Sequence, residues 1–517
     1  MMFYNLITRV TAKIIAIGSP RKAAEYLAEH RFFSRAYTAA KKSGVDKGWR
    51  VTQSSGANEN ASQWQAVTNK ARDLSRNNPY IVGARRRFRS NIISEGVWPR
   101  PKIRARNGKN KFDLDKEKNQ EILDAWELWC RVAGANGDSI YQIQRTAANH
   151  FFDDGQFLAR RVFFRKFPYM RIELLECDQL DSSRDRLADG VNNRIVGGIE
   201  LDKFNKPVAY YLLAQHPGDG YSSSQKVPAS EIIHVFDRQR ASEVSGICGY
   251  ASVVQSTFRA QEYAYSTMDA ARIANHFGVW IESPYIDDYG QESDDLTEID
   301  NIEEARYKRI NPAAFHYGLP GEKPHQIKPE IPGSQYGPFM TKELQAISVG
   351  AGVGYESVSH DGSQSNFAGS RALLLVERGY TKLALATFEE QFHSKIYEWF
   401  IEGLMDFGRP PLILPDYKKN PMEYLRVRFS RPVQEWVDPW KDVAARGKRI
   451  ELNLSTETDE AEDVGQDIEE IYAKKAYEKE LKKQFGLKTE SVDNTARPES
   501  GTVEQQDESE GENAEQE

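Results

Sequence analysis

The spacing of apolar and polar positions divides the chain into stretches of different character. Ile122, Trp126 and Trp129 recur at helical spacing and predict a helix over residues 115–130, with a second over 140–153. Short strand-like runs follow at 157–164, 170–175, 195–201, 208–213 and 232–236. Asn205-Lys206-Pro207 supplies a turn between the third and fourth of these runs. The pattern then lengthens. Residues 250–277 contain no proline, are rich in Ala and follow Gly249; as one helix they span about 42 Å. Residues 339–353 are helical again, and 368–405 predict a proline-free helix of about 57 Å. On that helix Leu373, Val376, Tyr380 and Leu383 mark one face, while Phe388, Phe392, Ile396 and Trp399 mark a shifted one. Gly379 is placed to allow a bend.

The stretches between these elements are polar or broken. Residues 278–337 mix Pro, Gly, Asp and short apolar runs, the pattern of a small β-rich insertion. Residues 354–367 form a polar loop containing Tyr355, His360, Asp361, Gly362, Ser363, Gln364 and Asn366. Residues 1–50 predict a helical arm with Pro20 at a helix start, where its missing N–H costs nothing, and 43–60 a polar link. Near the other end, Asp438-Pro439 and Ser455 or Thr456 open helices, and Lys482, Lys483 and Gly486 close one. Beyond Leu487 the chain is acidic and lacks aromatics, so disorder is expected there. The order of elements is that of an α+β protein without internal repeats.

Composition narrows the class. The 517 residues are 39% hydrophobic and 28% charged, ordinary for a globular chain with more than one domain. No run approaches the roughly 18 uncharged apolar residues of a membrane span. Arg9 and Lys13 interrupt the apolar patches at the start, so neither a secretory signal nor a membrane role is expected. Cys130, Cys177 and Cys248 lie far apart, as expected of buried thiols in a reducing compartment. The net charge of −7 is concentrated at the ends: the first fifty residues carry +7 and the last thirty −8. The body is therefore near neutral between a basic start and an acidic tail.

Catalytic signatures are scarce along the chain. The chain has no GxxxxGK[ST] loop, no HExxH and no GxSxG elbow. Gly350, Gly352 and Gly354 end a helical run instead of linking a strand to a helix, which makes them a loop start and not a dinucleotide cradle. His234, alone among apolar neighbours, reads as a satisfied buried residue. Asp153, Asp154, Glu176 and Asp178 keep one enzymatic alternative open, a Mg²⁺-dependent nucleic-acid enzyme, provided that they converge on a metal. No catalytic residue, resident metal or cofactor is otherwise expected. Arg85, Arg86, Arg87, Arg89, Arg100, Lys102, Arg104 and Arg106 form a basic cluster. Arginines so grouped either contact phosphates or pair with acids at a protein surface, and pairing is the commoner outcome.

Motifs in order along the chain resemble one family. Ser19-Pro20-Arg21-Lys22-Ala23 and Ala71-Arg72-Asp73-Leu74-Ser75-Arg76-Asn77-Asn78-Pro79 come first. Gly155-Gln156-Phe157-Leu158 with Arg160-Arg161 follows, then Glu176-Cys177-Asp178-Gln179-Leu180 and Gly198-Ile199-Glu200-Leu201-Asp202. Pro320-Gly321-Glu322, Ala351-Gly352-Val353-Gly354-Tyr355-Glu356, Asn366-Phe367-Ala368-Gly369-Ser370-Arg371-Ala372 and Val437-Asp438-Pro439 complete the series. Each is weak alone; their shared order from about Ser19 to Leu487 resembles the lambda-type phage portal proteins. Phe367 stands where that family often has Tyr, and 238–249 departs from its usual Arg/Gly-rich turn.

The resemblance implies a portal fold. Its parts would be a basic arm and linker at 1–60, a mixed wing at 61–249, stem helices at 250–277 and 338–353, and a clip at 278–337. A tunnel loop at 354–367, a long wing helix and return at 368–436, a helical crown at 437–487 and the acidic tail at 488–517 would complete it. It also implies a structural channel protein, not an enzyme, set in a dodecameric ring at one vertex of the virion capsid and assembled in the host cytoplasm. Partners would be non-specific double-stranded DNA, the large terminase subunit, the major capsid or scaffold protein and a head–tail adaptor. Tyr355, His360, Asp361, Ser363, Gln364 and Asn366 would face DNA, with Arg85, Arg86, Arg87 and Arg89 as phosphate contacts. Ser363, Gln364 and Asn366 are expected to tune DNA sliding or retention without affecting assembly. An assembling capsid or scaffold protein without a channel is the remaining alternative.

Overall fold

The computed structural model describes residues 53–105, 113–164, 168–189, 192–220, 223–276, 280–282, 323–325, 333–363, 367–408, 411–415, 417–432, 439–466 and 468–487, with scattered positions between 11 and 22. The chain divides between Ser55 and Gly56 into two units. In the first, the few described side chains include exposed Ile14 and Ile17. The second, from Gly56 onward, holds the elements that follow.

It opens with α1 (Gly56–Asn77) and α2 (Pro79–Ile92), separated by Asn78. The Asn78 side chain accepts from the Tyr80 and Ile81 N–H groups, and Pro79 takes the first helical position. Residues 56–60, expected as a link, are the first turn of α1. A short strand β1 (Pro99–Pro101) precedes α3 (Lys116–Trp129), capped by Asp115, and α4 (Ile140–Asp154), capped by Ser139. α4 ends at Gly155, whose φ of 75° is left-handed. A Cβ there would lie 2.0 Å from the Ile247 carbonyl oxygen, so only glycine fits.

Two antiparallel sheets follow. β2 (Gln156–Phe163) lies between β3 (Met170–Leu175) and β8 (Ile232–Phe236). The other sheet runs β4 (Arg194–Val196), β5 (Ile199–Leu201), β6 (Pro207–Leu213), β7 (Ser224–Pro228) in sequence order. The single strand expected over 195–201 is a hairpin, because Gly197 and Gly198 both adopt positive φ and reverse the chain.

α5 (Val254–His276) is followed by the strand pair β9 (Trp280–Glu282) and β10 (Lys323–His325), which lies within the expected insertion. α6 (Tyr336–Ala351) then leads into α7 (Tyr355–Ser359). α8 (Phe367–Phe388) continues through a π-helical turn, Glu389–His393, into α9 (Ser394–Phe407). The expected 38-residue helix is thus interrupted at the π turn, where Phe392 and His393 enter the core, and not at Gly379. After the one-turn α10 (Pro421–Tyr424), β11 (Val427–Phe429) pairs with β1. The end is α11 (Pro439–Glu451), α12 (Glu457–Asp463) and α13 (Ile468–Gln484), where one helix had been expected from Ser455 or Thr456 onward. Thr456 caps α12, and Gly465 at positive φ separates it from α13.

Three apolar clusters hold this together. The largest packs Trp126 and Trp129 of α3, Phe157 of β2, Phe388 and Phe392 beside the π turn, and Tyr397 and Phe400 of α9. A second joins Ala57 and Trp64 of α1 to the four-stranded sheet. The third gathers Leu74, Ile81, Phe152, Tyr250, Leu344 and Val358 where α1, α2, α4, α6 and α7 meet. Cys130, Cys177 and Cys248 are buried free thiols.

Candidate functional site

The polar residues singled out from the sequence fall into two buried charge networks and one exposed segment. The first network forms where the end of α4 meets α1. Arg72 donates from Nε to Asp154 Oδ1 and from Nη2 to Asp154 Oδ2 and Asp178 Oδ2, each at 2.7 Å. Its Nη2 also lies 3.5 Å from Glu176 Oε2. Gln65 Nε2 donates to the second Asp178 oxygen at 2.9 Å, and His150 Nδ1 lies 3.0 Å from Asp154 Oδ2. Burial alone would raise Asp178, but hydrogen bonds from Arg72 and Gln65 outweigh it and hold the carboxyl below its ordinary range. Burial likewise opposes the imidazolium of His150, yet the Asp154 carboxylate raises it above its ordinary value.

Beside it, Asp153 Oδ1 accepts from Ser75 Oγ, whose oxygen lies 2.9 Å from Tyr250 Oη, and Arg85 Nη1 donates to Asp153 Oδ2 at 2.8 Å. Burial raises Asp153 despite these partners. The four acids weighed as metal ligands therefore converge on arginines. Asp154, Glu176 and Asp178 share Arg72, and Asp153 takes Arg85. Among the described residues, Glu176, Asp178 and His216 alone bring three ligand atoms within 4.8 Å of one another. The Arg72 guanidinium lies 2.7 Å from Asp178 Oδ2 and 3.5 Å from Glu176 Oε2 and offsets negative charge of that group.

The second network fastens the expected tunnel loop. α6 ends at Gly352 in left-handed conformation, and Gly354 starts α7. Glu377 of α8 reaches beneath this start. Its Oε1 accepts from Arg87 Nε at 2.7 Å and Asn91 Nδ2 at 2.6 Å; its Oε2 accepts from the Gly354 N–H at 3.0 Å and Ser357 Oγ at 2.9 Å. A Cβ on residue 354 would stand 2.9 Å from Oε2, which explains the glycine. Burial would raise Glu377, but Asn91, Arg87 and the Gly354 N–H outweigh it and lower it. Val358, buried against α2, pins the other side of α7.

Residues 354–367 are thus not a uniform loop: 355–359 are a helix bound to the body, and exposure begins at His360. Tyr355 is half-buried, with its hydroxyl 3.5 Å from Asp361 Oδ2. His360 closes α7 at φ 53°, and its N–H donates to the Glu356 carbonyl at 2.9 Å. Asp361 accepts from the exposed Ser363 N–H at 3.0 Å, and Ser363 lowers its pKa. Gln364 and Asn366 lie outside the described residues. In the arginine cluster, Arg85 and Arg87 are committed to Asp153 and Glu377. Arg86 is exposed and Arg89 half-buried, with no carboxylate partner among the described residues. Arg100 is apart from these, donating to the Gly465 carbonyl. His234 packs between Tyr210 and Phe236 and bonds Gln156, and burial pushes it down to about 3. Sequence reasoning did not single out Glu377, Asn91 or Arg72 as anchors. Glu377 carried a signal, as a lone acid in the apolar run from Leu373 to Leu385.

The profile of a family described as "Phage portal protein, lambda family" matches residues 42–383. The chain belongs to the lambda family of phage portal proteins. This portal protein is 26% identical over 464 residues to the probable portal protein of Halomonas phage phiHAP-1, covering 85% of each. Among solved structures it matches a chain in the neck of a native gene transfer agent particle computed with C12 symmetry. The TM-score there is 0.46, with 11% identity, over 77% of this portal protein and 93% of that chain. A chain of the native gene transfer agent virion is matched at TM-score 0.46 and 9% identity, over 78% and 93%. Membership carries the portal role and the place in the phage particle that the ordered motifs implied, in a structural family and not an enzymatic one. No helix among the described residues is long and apolar enough to cross a membrane.

Proposed function

We propose that this portal protein is one subunit of a closed ring, twelve copies in the family's pattern, through whose channel DNA enters and leaves the capsid. The family match over residues 42–383 carries the reading. On it, α5 and α6 are stem helices, residues 278–337 the clip and 437–487 the crown. The ring docks the large terminase subunit during packaging, a head–tail adaptor afterwards, and the capsid or scaffold protein around it.

The DNA-facing element is the stretch that begins at His360: His360, Asp361, Ser363, Gln364 and Asn366, with Tyr355 at its base, His360 and Ser363 being exposed. Its sparse charge suits a surface past which duplex slides, since every neutralised phosphate steepens binding and slows movement. Arg86 and Arg89 are the arginines left for phosphate contact, because Arg85 and Arg87 neutralise buried acids. The buried clasp at Glu377 fixes where the segment leaves the body, by holding Gly354 and Ser357.

The test is to shorten the chain between His360 and Asn366 while keeping Val358, which belongs to the core. Averaged end-on images of the purified assembly should still show a ring with a central hole, and DNA packaging should fall. Loss of rings in the shortened protein would overturn the assignment of this segment. An assembly of the unmodified protein without a hole would overturn the channel. Purified protein should neither cleave DNA with Mg²⁺ nor hydrolyse ATP.

A further inference from the structure

α8 is amphipathic in the opposite sense to an ordinary surface helix. Its inward positions include Glu377 and Thr381, which are 3% and 6% exposed. Leu373, Leu375, Val376, Tyr380 and Leu383 point outward and are 45–71% exposed. At about 100° per residue these five and the small residues among them sweep an arc of roughly 160° without a charged side chain. Monomeric proteins seldom leave so long an apolar stripe in water.

Gly379 lies within this arc, and its presence there needs a reason. Glycine inside a helix loosens it relative to alanine. Among the described residues nothing requires the missing side chain, because a Cβ on Gly379 would meet no atom within 4 Å. A flat spot on an apolar helix face admits the close approach of another chain.

We infer that this outward face of α8 is a permanent contact with a second copy of the same chain. The inference rests on the ring reading above. A charge-free stripe fits an obligate contact, which resembles a core cut in two, better than a transient docking site with its more polar surface. It offers no cation to DNA phosphates. A ring also needs two dissimilar surfaces on each protomer. The chain exposes a second apolar helix face, Phe258, Tyr265 and Met268 of α5, each at least half exposed and spaced i, i+7 and i+10. α8 is held rigid for such a contact by the Glu377 clasp and by Arg371, which pairs with Asp442 of α11 at 3.2 Å.

The experiment follows assembly of the full-length protein against concentration by mass photometry and sedimentation velocity. Leu383→Lys places an uncompensated charge in the contact and should raise the concentration for half-assembly at least about tenfold. Phe204→Lys, an equally exposed apolar position on the β5–β6 turn, should leave it unchanged. Gly379→Leu guards against misfolding as an explanation. It should raise the melting temperature of the unassembled chain yet weaken assembly, and misfolding cannot produce those two signs together. Wild-type assembly in both Leu383→Lys and Gly379→Leu would overturn the inference while leaving the ring reading intact. If the unmodified chain stayed monomeric at every concentration, the ring reading would fail, and this contact with it.

Discussion

α8 and α9 are two halves of one helical path, joined by the π turn, and they obey opposite rules of burial. α9 points Ile396, Tyr397, Trp399, Phe400 and Ile401 into the main core, where Trp126, Trp129 and Phe400 stack within about 5 Å of one another. Before Phe388 at its last position, which joins the main core, α8 buries a glutamate and a threonine and turns leucines to solvent. In α9 the hydrophobic effect holds the protomer together. In α8 charge-assisted hydrogen bonds hold the protomer, and the apolar surface remains for a neighbour. The two halves separate two tasks, folding a subunit and joining subunits, along one helical path.

The contrast is open to direct attack. The largest effect belongs to the apolar half. Phe400→Ala removes a ring wedged between two tryptophans and should cost about 3–5 kcal/mol, read as a fall in urea midpoint of unassembled protein. Next is the polar half. Glu377→Ala strands Arg87, Asn91, Ser357 and the Gly354 N–H and should cost about 2–3 kcal/mol, the lower part of the usual range because Arg87 keeps some solvent. Hydrogen exchange should rise at residues 354–359 more than in α9; a uniform rise would erase the distinction drawn here.

A smaller effect is pH dependence. Glu377 is lowered in the folded chain, so its stabilisation is present above the ordinary value of 4.5 and disappears as pH falls through its folded value. His150 is raised, so its contribution is complete below the ordinary 6.5 and fades as pH rises through its folded value. Thermal melts above about pH 6.5 should show a gentle decline that His150→Gln abolishes. The smallest effect tests the outward face. Leu383→Ala should change the stability of the unassembled chain by no more than about 0.5 kcal/mol, because it is exposed there. A loss as large as that of Phe400→Ala would mean that α8 is packed within the protomer after all.

Much of this architecture was legible along the chain. Residues 170–175 and 232–236 are strands with the bounds their apolar runs predict; Asp115 and Thr456 open helices, and Gly486 at positive φ follows the end of one, as their chemistry requires. The start of α1 was hidden by its Gly- and Ser-rich approach; what makes it helical is tertiary, Ala57 and Trp64 packing on the four-stranded sheet. α7 was hidden by brevity. Five mostly polar residues carry no period, and their helix exists because Glu377 and α2 hold it.

Local chemistry therefore determined the order of elements, the caps, the family and even the membership of the face formed by Leu373, Val376, Tyr380 and Leu383. Which way that face points was decided only in three dimensions. Periodicity records that apolar residues share a side of a helix, but not whether the core lies on that side. The outcome depended on Arg87 and Asn91, nearly three hundred residues earlier, meeting Glu377 and drawing the polar side of α8 inward.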